Sequence, residues 1–263
     1  MKSKVYVGIT GPVNLQETRD ICKEFSEAGY SMESPHIPMI GFLVNYKTLN
    51  GQATQSRRYP PVNELPGLLR ATDNRVLTMV HYNSKERDSL SYQVAQIFDG
   101  VYENGLCRAI QLNIVWPHIS QVKRIKEQYT DMQIVFQASH SVIDGKTPNK
   151  ITEGIKAYGD SINYVLIDPS GGRGTPFDLE SSVAIYLELR EQCPDLIIGF
   201  AGGFTGENVA LRLKEIIQQI GESNFCIDAE GGLRDKITSA YGDDLLNIKK
   251  VRGYLKSASL VLK

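Results

Sequence analysis

Eight short apolar, β-branched runs recur along the chain, at 5–10, 37–45, 75–82, 109–114, 133–139, 164–168, 196–201 and 224–228, and helical patterns fill much of the space between them. No other feature constrains the fold as strongly. Several runs are apolar almost throughout, as in Tyr164-Val165-Leu166-Ile167 and Ile134-Val135-Phe136. Strands of a parallel sheet covered by helices on both faces read this way. Strand and helix repeated eight times predict one α/β domain over 1–263, a closed (β/α)8 TIM barrel of the phosphate-binding type. An open doubly wound sheet with appended elements is the alternative. No Pro/Ser-rich linker divides the chain, and 263 residues suit a single barrel.

Helices are predicted at 14–28, 119–129, 178–192, 208–220 and 245–263. The first is the clearest: Asn14 caps it, Glu17 lies three residues on, and Leu15, Ile21, Cys22 and Phe25 form an apolar stripe ended by Gly29. The segment 47–67 is irregular, and a loop of that length inside a compact domain is more often functional than idle.

Lys plus Arg number 29 and Asp plus Glu 30. This balance lacks the basic excess of a nucleic-acid binder. No apolar run reaches the roughly 20 residues of a membrane span, and the N-terminus lacks a signal-peptide pattern. Cys22, Cys107, Cys193 and Cys226 are far apart, which speaks against a disulfide framework or structural zinc and for a reducing, cytoplasmic setting. No His/Asp/Glu cluster has metal-ligand spacing, and no Walker A, Rossmann or GxSxG motif follows a strand, so neither metal nor cofactor is expected.

In such barrels chemistry sits at the C-terminal strand ends. The polar residues there are Thr10, Tyr46, Lys47, His81, Asn83, Asn113, His140 and Asp168, followed by Gly202-Gly203 and Glu230-Gly231-Gly232. Paired glycines after strands seven and eight suit a phosphate, whose oxygens would take backbone N–H groups, although tight turns would also use them. Asp168, leaving an apolar run, suits a general acid or a turn cap. His81 and His140 suit a proton shuttle or a structural place. Arg173 could clamp an anion or simply be solvated, and Arg57 and Arg58 read as exposed loop charges.

Together these strand ends resemble phosphoribosylanthranilate isomerase over essentially the whole chain. Val7-Gly8-Ile9-Thr10 is similar to that family's Cys-Gly-Ile-Thr, and Ile40-Gly41-Phe42-Leu43 with Ser56-Arg57-Arg58-Tyr59 to its second strand and Ser-Pro-Arg-Tyr loop, with an insertion between. Gln111-Leu112 matches Gln-Leu-His. Asp168 with Gly171-Gly172-Arg173-Gly174 and Phe177-Asp178 matches strand six and its loop. Ala201-Gly202-Gly203 with Glu207-Asn208-Val209 matches strand seven, and Asp228 with Gly232 matches strand eight. The resemblance implies an Amadori-type isomerisation of a phosphorylated aminoaldose. Asp168 would be the general acid and Arg58 would face the anthranilate part. Gln111, Arg173, Gly202, Gly203, Gly231 and Gly232 would bind substrate and phosphate.

Three positions depart from the family. Val7 stands where the general-base cysteine belongs, Asn113 where the fourth-strand histidine does, and Glu230-Gly231-Gly232 replaces Ser-Ser-Gly. A carboxylate at 230 would repel a phosphate dianion unless it turned away or were paired. Three functions therefore stand open: a divergent isomerase-like enzyme for a small phosphorylated metabolite, a non-catalytic barrel binding an anionic metabolite, and the tryptophan-pathway isomerase with His81 or His140 as substitute base.

Overall fold

The computed structural model describes residues 3–170 and 177–262. Eight strands, β1 (Tyr6–Thr10), β2 (Ile37–Asn45), β3 (Leu77–Asn83), β4 (Ala109–Asn113), β5 (Gln133–Ser139), β6 (Tyr164–Asp168), β7 (Ile197–Ala201) and β8 (Cys226–Ala229), close into a barrel in sequential order. Every neighbouring pair is parallel, and β1 pairs with β8 through Val7↔Ile227 and Gly8↔Asp228 to close the ring. The barrel predicted from the sequence is the observed fold, and the open sheet is excluded.

Ten helices accompany the strands among the described residues: α1 (Leu15–Glu27), α2 (Tyr46–Leu49), α3 (Leu65–Arg70), α4 (Leu90–Phe98), α5 (Ile119–Gln128), α6 (His140–Ile143), α7 (Pro148–Lys156), α8 (Leu179–Gln192), α9 (Val209–Ile220) and α10 (Ile248–Ser259). Asn14 caps α1 by accepting from Glu17 N, and Asp178 caps α8 by accepting from Ser181 N. None of these helices is long and apolar enough to cross a membrane.

Three sequence expectations are corrected. The segment 47–67 is not irregular throughout: it holds most of α2, a 3-10 turn at Val62–Glu64 and the start of α3. The helix expected at 245–263 begins only at Ile248, because β9 (Arg234–Lys236) and β10 (Asp244–Leu246) form an antiparallel hairpin before Asn247 caps α10. Helices α4 and α7 lie outside the sequence reading, although Thr147 as cap and Pro148 in the first turn announce α7.

Strand alternation divides the core into two layers. Tyr6, Met39, Met79, Ala109, Val135, Tyr164, Leu166 and Cys226 fill the barrel interior. Val7, Ile9, Phe42, Val80, Ile110, Phe136, Val165, Phe200 and Ile227 belong to the larger outer layer with the helices. This parity decides which strand-end residues can reach the mouth.

Candidate active site

Residues on the interior parity turn polar as each strand nears its C-terminal end. Thr10 follows Tyr6 and Gly8, His81 follows Met79, Gln111 follows Ala109, Gln137 follows Val135, Asp168 follows Leu166, and Asp228 follows Cys226. All six are buried. His81, Gln111, Gln137, Asp168 and Asp228 line a cavity of about 20 Å³ at the barrel mouth, with Ser170, Gly202, Gly203, Glu230 and Gly231 in its wall. That is room for about one water or hydroxyl group. A larger cavity of about 300 Å³ adjoins it, sharing Asn113, Gln137, Ser170 and Glu230 and extending past Ser84, Lys85, Ser139 and His140 between Tyr59 and Tyr241.

Donors hold Asp168 on both oxygens. Gln137 Nε2 donates to Oδ2 at 2.7 Å, and Ser170 donates to Oδ1 from its N–H at 3.1 Å and from its hydroxyl at 2.8 Å. Asp228 accepts from Thr10 Oγ1 at 3.1 and 3.0 Å. Burial pushes its carboxyl up to about 7, with the charges of Glu230 and Asp168 adding to the effect against the Thr10 hydrogen bond. Burial holds the His81 imidazole down at about 3, so the ring is neutral at physiological pH. Two side-chain atoms of this wall, His81 Nε2 and Gln111 Oε1, are buried without a partner.

Arg58 is not an exposed loop charge. Its side chain is 5% exposed, and it clamps Asp244 from Nε at 3.0 and 3.2 Å and from Nη2 at 2.5 Å, while Nη1 reaches Glu230 Oε1 at 2.5 Å. Burial works against its charge, but Asp244 and Glu230 outweigh that and hold the guanidinium protonated. Arg234 joins from the hairpin, donating to Asp244 Oδ1 at 3.3 Å and to the Gly11 carbonyl. Arg57 matches the expectation better, exposed and paired with Asp243.

Glu230 therefore does not turn outward, as a phosphate in this loop would favour; it lines both cavities and is paired with a cation. Burial raises its carboxyl and Arg58 opposes the shift. The glycines divide by role. Gly202 and Gly203 have φ of +110° and +69°, a region few side chains enter. Gly232 serves packing: a Cβ there would lie 2.1 Å from the Phe204 carbonyl oxygen, where the loops after β7 and β8 touch. The N–H groups of Gly203, Gly231 and Gly232 donate to no described residue.

Of the remaining sequence candidates, His140 opens α6, exposed on the rim of the larger cavity. Arg173 lies outside the described residues. Val7 is fully buried on the outer parity, so the first-strand position likened to the family's cysteine faces the helices rather than the mouth. Sequence reasoning assigned no role to Asp228, Gln137, Arg234 or Asp244. A period-2 signal was available for the first two, since each is a polar residue two positions beyond an interior apolar one.

No family model and no curated protein matches the sequence. Solved structures do. The phosphoribosyl anthranilate isomerase from Thermus thermophilus superposes with a TM-score of 0.65 at 15% identity, covering 97% of this chain and 100% of that one. TrpF from Jonesia denitrificans gives 0.59 at 17%, covering 98% of each chain. The tryptophan synthase subunit alpha from Legionella pneumophila gives 0.59 at 11%, covering 99% of this chain and 93% of that one. The chain thus has a phosphoribosylanthranilate-isomerase-like fold, a (β/α)8 barrel similar to these enzymes over nearly its whole length.

Proposed function

We propose that this barrel acts on a small phosphorylated, sugar-type metabolite by proton transfer of the aldose–ketose kind. The observation that carries the reading is the convergence of Asp168 and Asp228 on one cavity whose wall includes Gly202, Gly203 and Gly231. An isomerisation of this class needs an acid at a ligand oxygen and a base at the neighbouring carbon. Asp168 fills the acid's place on β6, and Asp228 marks the side where a base belongs. The loop N–H groups of Gly203, Gly231 and Gly232 supply donors for phosphate oxygens. The larger cavity takes the ligand's body among hydroxyl, amide and Lys85 side chains.

Phosphoribosylanthranilate itself is a poor fit. Arg58, which would face the anthranilate part, is clamped by Asp244 and Glu230, and Glu230 faces the ligand space with a carboxylate. An anthranilate carboxylate would have to compete with both.

A thermal-shift panel of pentose and hexose phosphates against inorganic phosphate tests the binding half. A ligand at about 100 times its Kd adds roughly 2.7 kcal/mol, several degrees for a chain of this size. Gly203→Ala, strained at its positive φ, should weaken the response while the fold persists. Any stabilising ligand is then incubated in D2O, with exchange at the carbon next to the carbonyl followed by NMR. Stabilisation with exchange supports the enzyme. Stabilisation without exchange supports the non-catalytic binding barrel, and no response to any sugar phosphate overturns the phosphorylated-metabolite reading.

A further inference from the structure

His81, Thr10 and Asp228, on β3, β1 and β8, form a hydrogen-bonded row at the floor of the mouth. Thr10 Oγ1 stands in the middle, 3.0 and 3.1 Å from the Asp228 oxygens and 3.4 Å from His81 Nδ1. A hydroxyl has one proton to give. While it goes to the Asp228 carboxylate, Thr10 can only accept from His81, so Nδ1 carries the hydrogen and Nε2 is a bare lone pair. That Nε2 is buried without a partner, and His81 lines the small cavity together with Asp168 and Gln111.

We propose that His81, Thr10 and Asp228 are a tautomeric proton relay, in which His81 Nε2 takes a proton from the ligand as Thr10 passes the Nδ1 proton to Asp228. The inference rests on the acid–base reading of this site and supplies the base that reading requires. The step balances. The ligand C–H bond breaks and Nε2–H forms; Nδ1–H breaks and a new Thr10 O–H forms; the original Thr10 proton ends on Asp228. The electron pair stays on the ligand as the double bond of an enediol, while Asp168, entering the step as the carboxylic acid, gives its O–H proton to the carbonyl oxygen and is left as the carboxylate. The ring begins and ends neutral, and the charge lost is that of the Asp228 carboxylate.

Two glycines clear space for the row. A Cβ at position 41 would lie 2.5 Å from Thr10 Oγ1 and 2.6 Å from His81 Nε2, and one at position 8 would lie 2.7 Å from Asp228 Oδ1. The electrostatics agree with the geometry, since burial disfavours an imidazolium at His81 and makes Asp228 a ready proton acceptor near neutrality. The titratable groups facing Asp228 are Tyr6 of β1, Asp168 of β6, Cys226 and Glu230 of its own segment and Tyr254 of α10. None of these is a cation that would hold its carboxylate ionised. His81 faces Thr10 of β1 and Gly41 of β2.

The test reads the ring nitrogens of ligand-free protein labelled with 15N-histidine, between about pH 5.5 and 8.5. The chain has 4 histidines, and His81→Gln identifies the signal by its loss. The relay requires the Nδ1–H tautomer at high pH and the Nε2–H tautomer at low pH, with the crossover near 7 and no imidazolium. Thr10→Val should remove the crossover and Thr10→Ser should restore it. Asp228→Asn, which keeps an acceptor for Thr10 but cannot take its proton, should fix Nδ1–H throughout. A single tautomer at every pH in the unaltered protein, or an imidazolium signal, overturns the relay. Because no ligand is present, that outcome is independent of whether sugar phosphates bind.

Discussion

Replacing Asp228 by Asn should change how stability depends on pH, in a direction the structure fixes. The carboxyl is pushed from its ordinary 3.8 up to about 7, chiefly by burial, so the folded protein holds a proton that the unfolded chain releases between those values. The unfolded chain then binds fewer protons than the folded one, and stability falls as pH rises through that window. Below about pH 4 both states carry the proton and no cost is felt; above about 7 the folded protein bears the full cost of a buried charge. At 1.36 kcal/mol per pKa unit the whole shift is worth about 4 kcal/mol, of which roughly 2 to 3 accrue between pH 5 and 8. Asparagine keeps an acceptor for Thr10 and removes the titration. Urea unfolding at a series of pH values measures the difference. The variant should gain on the unaltered protein by roughly 2 to 3 kcal/mol from pH 5 to pH 8, even if its extra amide hydrogens lower both ends equally. Parallel curves, or a variant that loses ground as pH rises, would refute a buried and reluctantly ionised Asp228.

Asp244→Ala should cost about 3 to 5 kcal/mol in the same assay, because it strips the shared carboxylate from two buried arginines, Arg58 and Arg234. The double variant Arg58→Met/Asp244→Leu should cost less than Asp244→Ala alone, since it leaves one buried charge of each sign, Arg234 and Glu230, whereas Asp244→Ala leaves two guanidiniums against one carboxylate. Val7→Cys should leave catalysis unchanged, and its thiol should resist alkylation in the folded state, because position 7 is fully buried on the outer layer. Phosphoribosylanthranilate turnover rising in that variant, followed by the change in substrate fluorescence, would contradict the placement.

The barrel was legible because burial on both faces leaves little freedom in composition. A strand covered inside and outside must be apolar nearly throughout, and β2, β5 and β6 were bounded from sequence to the residue. Segments held by tertiary partners were not legible. The hairpin of β9 and β10 has one residue in three buried on each strand, so no periodic apolar pattern marks it. It is held instead by contacts far away in sequence: Arg57 N–H donates to the Gly242 carbonyl, and Arg57 and Arg58 bind Asp243 and Asp244. Motif matching put Asp168 at the end of β6, where it lines the cavity, but carried no information on which way the residues of β1 face. It aligned Val7 with a cysteine by order along the chain, whereas parity puts Gly8 and Thr10, not Val7, toward the interior.

The departures from the isomerase pattern make sense as one linked change. A carboxylate in the loop after β8, about 4 Å from a bound phosphate, would cost several kcal/mol even at an effective dielectric constant near 20. Glu230 is tolerable there only if a cation stays beside it, and Arg58 does so at 2.5 Å. Glu230 is not the whole of the hold on Arg58, since Glu230 itself borders both cavities. The anchor of Arg58 is Asp244, 4% exposed on β10, which Arg234 also grips. The elongated segment after β2 delivers Arg58 to the mouth, and the hairpin after β8 delivers its anchor. The backbone bond from Arg57 to Gly242 ties the two together, and Gly242 is needed at that contact, since a Cβ there would lie 2.2 Å from Ser56 Oγ. Glu230, the insertion and the hairpin are thus mutually dependent. Restoring a serine at 230 on its own would leave Arg58 with one carboxylate fewer and turn part of its charge toward the ligand. That makes Glu230→Ser, rather than any change at Val7, the substitution expected to move ligand preference toward an additional anionic group.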